Sequence, residues 1–520
     1  MIYNSKETIN PFWSENSGFM TGRDPLGIQN SSITVYGRLL PGMTNLTQRL
    51  RYYGIYCWLL KEYDMLKIPN DKKSLKHQYN FIRRAELIIA FMMVNEFPDE
   101  KSVIGSNYAN DHINDDIYNI IKGADKIKNE ANDELYWEYD SGALGQYYAG
   151  SLINLNLVET VDKFFHIKER GLLLASAFEK SISKATRDYF LSLILDGETS
   201  SVKNKIIKPF SLNSIPFESE EWFYYKDILL ENDGDNYKTS DGAISSKRRE
   251  TIGLFLSYLN GEHNFKKFDE WAFQEISNKT NENPALLGWY YYFINEAFHF
   301  SIETIFWGML VSLDGRIILI NDFIEEIKNC IVEQNCESLK IDNKELLENV
   351  VLTMDSSNLI EELGILENLT ESEKNWEIAI GKAVELISKI YIQIEPKLEI
   401  IKDFENKNFI NYQKGNVIEN TNNYLLNFFP IPYYSYVEKI IKLLMNDHIA
   451  TAYRKMGNGE VSLLKFIIED NVIGHIQTMP PKHTNPRIST LKNFLKDMLL
   501  INETGEPTVR GNEILKDLIR

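Results

Sequence analysis

Cysteine is scarce in this chain: Cys57, Cys330 and Cys336 are the only three in 520 residues. The number is odd and Cys57 lies far from the other two, so no disulfide framework is expected, and a reducing cytoplasm is the natural compartment. Cys330 and Cys336 stand six apart on an expected helix and point to different faces. Without further Cys or well-spaced His, no four-ligand zinc site is expected. The first residues, MIYNSKETINPFW, lack a cationic stretch followed by an apolar run, so no signal peptide is expected. Also missing are G-x-x-x-x-G-K-[ST], G-x-G-x-x-G after a strand, G-x-S-x-G and H-E-x-x-H. An autonomous ATPase, Rossmann dehydrogenase, α/β-hydrolase or zincin is thereby disfavoured, and no cofactor is expected. No Gly/Ser linker, Pro-rich tract or short-period repeat breaks the chain.

Positive charge is in deficit too. The formal net charge is −18, so the surface as a whole repels phosphate, and any nucleic-acid contact needs a local basic patch or a partner. The same balance suits docking onto a basic protein. What is plentiful is core material: 43% hydrophobic and 12% aromatic residues rule out a disordered chain, and the length suggests about three domains. The most apolar segment, 285–313 (ALLGWYYYFINEAFHFSIETIFWGMLVSL), is long enough to span a bilayer. Glu296, His299 and Glu303 fall at its middle, where a charge costs about 2.5–3.5 kcal/mol on insertion scales, so it reads as a buried helix and no membrane association is expected.

Along the chain, helical spacing dominates. Asp24-Pro25-Leu26-Gly27 reads as a turn, and SITVYGRLL as a strand or extended arm. Asn45 offers a helix N-cap, with Gln48 at N3, for the aromatic-rich helix that carries Leu50, Tyr53, Tyr56, Cys57 and Leu60 on one face. AELIIAFMMVNEF is helical and GSNYANDHINDD a polar loop. Residues 197–246 are polar and turn-rich and read as a loop excursion. The segment 338–410 is helical, most clearly EKNWEIAIGKAVELISKIYIQIEPKLEIIKDF. The expected division is 1–140, an N-terminal arm and helical domain; 141–196, a first small module; 197–246, the excursion; 247–430, a helical domain; and 431–520, ending in a second small module.

The two small modules follow one pattern. In the first, Tyr148, Leu152, Leu155 and Val158 form an apolar stripe. Glu159-Thr160-Val161-Asp162 then reads as a polar turn. Phe165 and Ile167 alternate as in a half-buried strand, Gly171 suits a tight passage into a helix, and Leu172, Leu174 and Phe178 face inward. In the second, Leu491, Leu495, Met498 and Ile501 repeat the spacing and ETGEPT makes the turn. Arg510-Gly511 matches Arg170-Gly171, Ile514 and Leu518 close the unit, and the hairpin is three residues shorter. Helix, hairpin and closing helix in this order resemble the winged-helix superfamily of bacterial regulators and chromosome-organising accessory proteins, over some forty residues per copy. The resulting expectation is a mainly α, multi-domain helical protein with two winged-helix modules.

Candidates for chemistry and contact are few. Glu296, His299 and Glu303 share one helix face, and E-x-x-H is a metal-ligand spacing in helical bundles, although di-iron sites need it twice. Glu395-Pro396-Lys397 has the E-x-K form seen in nucleases. ENDGDNYKTSDG is acidic but lacks the spacing of a Ca²⁺ loop. For DNA contact the first module offers no basic residue in LGQYYAGSLINLNL. The second has a basic stretch of Lys482, His483, Arg487, Lys492 and Lys496, and Lys247-Arg248-Arg249 is the tightest basic run.

The segments DPLGIQNSSITVYGRLLPGMTNLTQRLRYYGIYCWLL, FINEAFHFSIETIFWGML and NPRISTLKNFLKDMLLI look like those of uncharacterised bacterial proteins found among defence and DNA-mobility genes. The resemblance implies a subunit of a multi-protein system against phage or plasmid. The leading expectation is a non-catalytic subunit that holds a neighbour-encoded ATPase, helicase or nuclease, possibly near DNA. The alternatives are a divergent nuclease or metal-dependent hydrolase, and a transcriptional regulator.

Overall fold

In the structure, a computed structural model, residues 24–68, 72–100, 102–115, 117–126, 134–199, 204–213, 215–230, 246–278, 283–355, 358–408, 415–456 and 463–519 are described. The protein is mainly helical, with three small antiparallel sheets among these residues. The chain groups into two compact units, one formed by 1–36 and 265–484, the other by 37–264 and 485–520. Neither unit is one continuous stretch. The candidate basic residues are split accordingly: Lys482 and His483 belong to the first unit, and Arg487, Lys492 and Lys496 to the second. The acidic loop ENDGDNYKTSDG lies outside the described residues.

The first unit is organised around the helix Pro284–Leu313. Asn283 caps it by accepting from the Ala285 and Leu286 N–H groups at 2.9 and 3.0 Å, and Pro284 fills the first turn, where its missing N–H costs nothing. Every residue from Gly288 to Leu310 is buried. A helix apolar on all sides belongs inside a core, and this one packs against Phe268–Asn278, Trp376–Ile394 and Tyr433–Met456. No helix among the described residues is long and apolar enough to cross a membrane. Strands Ile317–Leu319, Val472–His475 and Phe466–Glu469 form an antiparallel sheet with Val472–His475 in the middle. Asp470 and Asn471, both at positive φ (45° and 72°), make the two-residue hairpin loop.

Two expectations give way, the first on a helix that the two units share and the second in the first unit. SITVYGRLL is not a strand or arm but part of the helix Asn30–Leu39. Its β-branched residues favour extended chain, but Val35 and Leu39, four apart, are both 2% exposed, and burial on one helical face overrides propensity. Glu395-Pro396-Lys397 forms a 3₁₀ turn between two helices. It lacks the strand context of a nuclease E-x-K, and the Lys397 ammonium donates to the Ile276 carbonyl at 2.9 Å.

The second unit holds the aromatic-rich helix Arg51–Met65. Asn45 does not cap it. The helix starts at Arg51, and the Leu50 N–H donates to Asp497 Oδ2 at 2.9 Å, a cap supplied from far along the chain. Three arginines here are fully buried: Arg51, Arg83 and Arg248. Arg51 pairs with both oxygens of Glu221, at 3.0 and 3.2 Å. Arg83 donates to the carbonyls of Ala124, Trp137 and Tyr139. Each guanidinium satisfies loop or helix-end groups that water cannot reach. Residues 106–111, expected as loop, form a short helix. Within the expected excursion, Glu220–Leu230 is a helix burying Trp222, Tyr225, Ile228 and Leu229. Its apolar residues are spaced by three and four among charged ones, and the surrounding polar sequence masked them.

Both small modules lie in this unit, each as helix, hairpin and helix. In the first, a π-helical turn, Leu144–Tyr148, continues into Ala149–Asn154. Strands Val158–Val161 and Phe164–Ile167 pair from Val158↔Ile167 to Val161↔Phe164, and the helix Glu169–Lys180 closes the module. Glu159–Val161, expected within the turn, belong to the first strand, and all three are exposed. The turn is Asp162-Lys163, both at positive φ (49° and 72°). Leu174 and Phe178 are buried as expected, but Leu172 is 41% exposed, because it lies about 160° round the helix from Leu174. In the second module, helices Ile488–Asp497 and Val509–Ile519 flank a loop closed by one bridge, Ile501↔Pro507.

Candidate functional site

The Glu296–His299–Glu303 stripe and His483, singled out separately in the sequence, meet in the first unit. Glu296 and Glu303 are seven residues apart, two helical turns, and so share one face of Pro284–Leu313. Each accepts one backbone N–H from the segment 482–484. Thr484 N donates to Glu296 Oε2 at 2.7 Å and Lys482 N to Glu303 Oε2 at 3.2 Å. The segment therefore runs antiparallel to the helix, held at both ends by carboxylates. Between them lies His299, fully buried, with Nε2 3.0 Å from Glu303 Oε1 and Nδ1 3.6 Å from Glu296 Oε1. Both contacts lie within ion-pair distance.

His483 extends the chain of charges outward. Its ring stacks on Phe300, with centroids 4.4 Å apart and planes 10° from parallel. Nδ1 lies 3.5 Å from Glu296 Oε2 and Nε2 2.7 Å from Glu367 Oε1. Glu367 also takes the Lys267 ammonium at 2.7 Å, and the Gln29 amide donates to Glu303 Oε1 at 3.1 Å. Three carboxylates, two imidazoles and the Lys267 ammonium, which also lies 3.8 Å from Glu270 Oε1, thus form one network. Burial by itself would raise the carboxyl pKa values and lower those of the imidazoles. The opposite charges win, so Glu296 is held well below the usual carboxylate range, Glu367 is held down at about 2, and His299 and His483 are pushed up.

Among the described residues, no group of three His, Cys, Asp or Glu is arranged to hold a metal ion. The arrangement is suited to clamping one segment onto a core helix. Sequence spacing had put Glu296, His299 and Glu303 on one face. Glu367, Lys267 and Gln29 carried no local signal, because their role depends on where distant helices pack.

The remaining candidates are dispersed. The Lys482 side chain is exposed while its backbone N–H is held by Glu303. Arg487, at φ 65°, starts the helix Ile488–Asp497 and donates to the Leu40 carbonyl at 3.0 Å. Lys492 is half-buried, and its ammonium packs beside Gly505. Lys496 pairs with Glu503 at 3.0 Å. Arg248 is fully buried and donates to the carbonyls of Leu229, Ile228 and Pro41, which directs its charge inward. Arg249 reaches the Leu230 carbonyl at 3.4 Å, and burial lowers the Lys247 pKa.

The two small modules share a backbone scheme. Leu157 N donates to Leu152 O at 2.9 Å, and Leu500 N to Leu495 O at 2.8 Å. Lys168 N donates back to Leu157 O, and Thr508 N to Leu500 O, both at 2.9 Å. The preceding residues, Asn156 and Leu499, sit at φ 57° and 58°. A Cβ on Gly171 would fall 2.2 Å from Leu157 O, and one on Gly511 2.1 Å from Leu500 O. Both stripes, Tyr148-Leu152-Leu155-Val158 and Leu491-Leu495-Met498-Ile501, are buried throughout. Comparison of the chain with family models, curated proteins and solved structures finds no match.

Proposed function

We propose that this chain is a non-catalytic subunit of a bacterial multi-protein defence or DNA-processing assembly. Its two helix–hairpin–helix modules, of winged-helix type, dock a neighbour-encoded ATPase, helicase or nuclease. The observation that supports this most is what the modules expose. The first shows Val161 (50%), Leu172 (41%) and Leu173 (45%), and the second Leu499 (50%) and Val509 (77%). A reader of DNA exposes cations at such places. Here the first ribbon sets Lys163 and Lys168 against Glu159, Asp162 and Glu169, and Lys496 of the second module is paired with Glu503. The net charge of −18 points the same way.

The test is co-expression of the full chain with each neighbour-encoded ATPase, helicase or nuclease, followed by co-purification. One such protein is expected to be retained, and to be lost when Leu173→Asp and Val509→Asp are combined, with circular dichroism unchanged. Absence of any complex, or a complex indifferent to both substitutions, would sink the proposal. So would a salt-sensitive DNA shift by the chain alone that both substitutions leave intact.

A further inference from the structure

An antiparallel sheet packed on one side alternates apolar residues inward with polar residues outward. The three-stranded sheet of the first unit does not. Residues paired across antiparallel strands lie on the same face. The register therefore sets Ile317, Gly474 and Ile467 in one row and Leu319, Val472 and Glu469 in the next, on the same face. The opposite face carries Phe466 and Ile473, both buried in the core. The first face looks outward: Ile317 is 80%, Leu319 52% and Ile467 44% exposed. Gly474 agrees with this geometry, since a Cβ there would fall 3.6 Å from both Ile317 Cγ1 and Ile467 Cγ2. Both faces are apolar, and only one is covered, which marks the other as a contact surface.

The edge of the sheet is open as well. Ile320 N donates to the Asn471 carbonyl at 2.8 Å. Hydrogen-bonded pairs alternate along an antiparallel ladder. Ile318 is therefore the next residue bonded to the middle strand, and Ile317 and Leu319 turn their N–H groups away from it. On the far side of that strand, Ile476 N donates to the Lys465 carbonyl at 3.0 Å, which fits the complementary alternation. Among the described residues no further strand pairs with Ile317–Leu319. Such an edge is normally blunted by a lysine, a proline or a bulge. Ile317, Ile318 and Leu319 supply none of these, and Arg316 beside them is held by both oxygens of Glu326 at 2.7 Å.

Charge distinguishes the two ends of the edge. Asp322 follows Leu319 by three residues, and Glu469 and Asp470 stand at the hairpin turn, beside the row of Leu319. All three are exposed, and none is in an ion pair among the described residues. At the opposite end, Asp314 lies 3.0 Å from His475 Nδ1, and Lys465 donates to the Gln477 amide oxygen at 2.7 Å. Two outward N–H groups are few, so a segment added here depends as much on the apolar rows and the carboxylates as on backbone bonds.

We propose that the edge Ile317–Leu319 accepts an extended segment of a partner protein as a fourth strand. Alternate residues of the segment are apolar and pack beside Ile317 and Leu319. A lysine or arginine follows at the hairpin end, where Asp322, Glu469 and Asp470 meet it. The net charge of −18 makes a second copy of this chain a poor occupant and a basic partner a good one. The surface is separate from the two helix–hairpin–helix modules, which belong to the other unit.

Fluorescence anisotropy tests this, with a labelled heptapeptide of alternating valine and threonine behind two lysines titrated with the full chain. Saturable binding with a Kd under about 1 mM is expected. Glutamates in place of the lysines should raise Kd about ten-fold, and N-methylation of the peptide backbone about five-fold. Ile317→Lys puts a charge on the open edge at a side chain outside the core, so the melting temperature should hold while Kd rises about ten-fold. Glu469→Gln combined with Asp322→Asn should raise Kd about five-fold at low salt. The proposal is overturned if the lysine peptide does not bind, if the glutamate or N-methylated peptide binds as well, or if either the Ile317→Lys or the double variant leaves Kd unchanged. Sedimentation that shows a dimer of the full chain, dissociated by Ile317→Lys, would assign the edge to a second copy and overturn it too.

Discussion

The two helix–hairpin–helix modules agree where backbone meets backbone and differ where side chains finish the job. In both, a left-handed residue ends the first helix, the next leucine bonds back into that helix, and its carbonyl receives the start of the second helix against a glycine. The ribbons differ. The first has four paired positions, whereas the second has one bridge, at Pro507, which has no N–H to extend a ladder. The arginines differ as well. Arg170 is buried and donates to the Leu155 carbonyl at 2.9 Å, while Arg510 lies over the Phe217 ring. The lesson is that the shared element is the crossing of two helices at a glycine, and the ribbon is free to vary.

The strongest way to break the comparison is at the glycines. Gly171→Ala and Gly511→Ala each drive a methyl into a backbone carbonyl, which cannot rotate away as a side chain can. Each is expected to destabilise its own module by about 2–3 kcal/mol. Native-state hydrogen exchange of the 149–154 and 491–497 amides would show this, and tolerance at one glycine alone would end the equivalence.

Next comes pH. Asp497 in the second module is buried, and desolvation outweighs its Arg49 partner at 3.0 Å, raising its pKa to about 6. The aligned residue of the first module is Asn154, which does not titrate. A carboxyl raised above its unfolded pKa of about 3.9 takes up a proton on folding, so stability grows as pH falls from 7 toward 5. Protection of the 491–497 amides should therefore increase by about 1 kcal/mol over that range, after correction for intrinsic exchange, with no such change at 149–154. Asp497→Asn should flatten the response.

Smaller effects sharpen the difference in helix starts. The Thr508 hydroxyl accepts from Gly511 N at 3.2 Å, whereas Lys168, at the same place in the first module, gives no side-chain cap. Thr508→Ala should cost about 1 kcal/mol and Lys168→Thr should gain about 0.5 kcal/mol, read from chemical denaturation of the full chain. Smallest is Lys163→Gly in the ribbon turn. It relieves a left-handed lysine at some cost in chain entropy and should stabilise by a few tenths of a kcal/mol.

Legibility followed range. The buried character of 285–313, the two apolar stripes and the Arg-Gly steps were visible because periodicity and steric need are written locally. The strands Phe466–Glu469 and Val472–His475 are written only faintly in FIIEDNVIGH, as two short apolar runs around an Asp-Asn loop. The basic stretch 482–496 reads as one patch in sequence, yet it divides between two units. His483 ends among carboxylates 3.5 and 2.7 Å away, and not at a surface offered to phosphate.

Taken alone, the sequence determined a helical protein with a charged stripe on its most apolar helix and a small motif used twice. Apolar spacing and a glycine's missing side chain act over a few residues, whatever the rest of the chain does. The tertiary structure alone decided which distant groups meet the buried carboxylates: Glu296 and Glu303 accept backbone N–H groups, and Glu296 also faces His483, from a segment almost two hundred residues away, and Asp497 accepts the Leu50 N–H. Pairing of buried charges depends on which distant elements desolvate one another, and composition and periodicity carry no record of that.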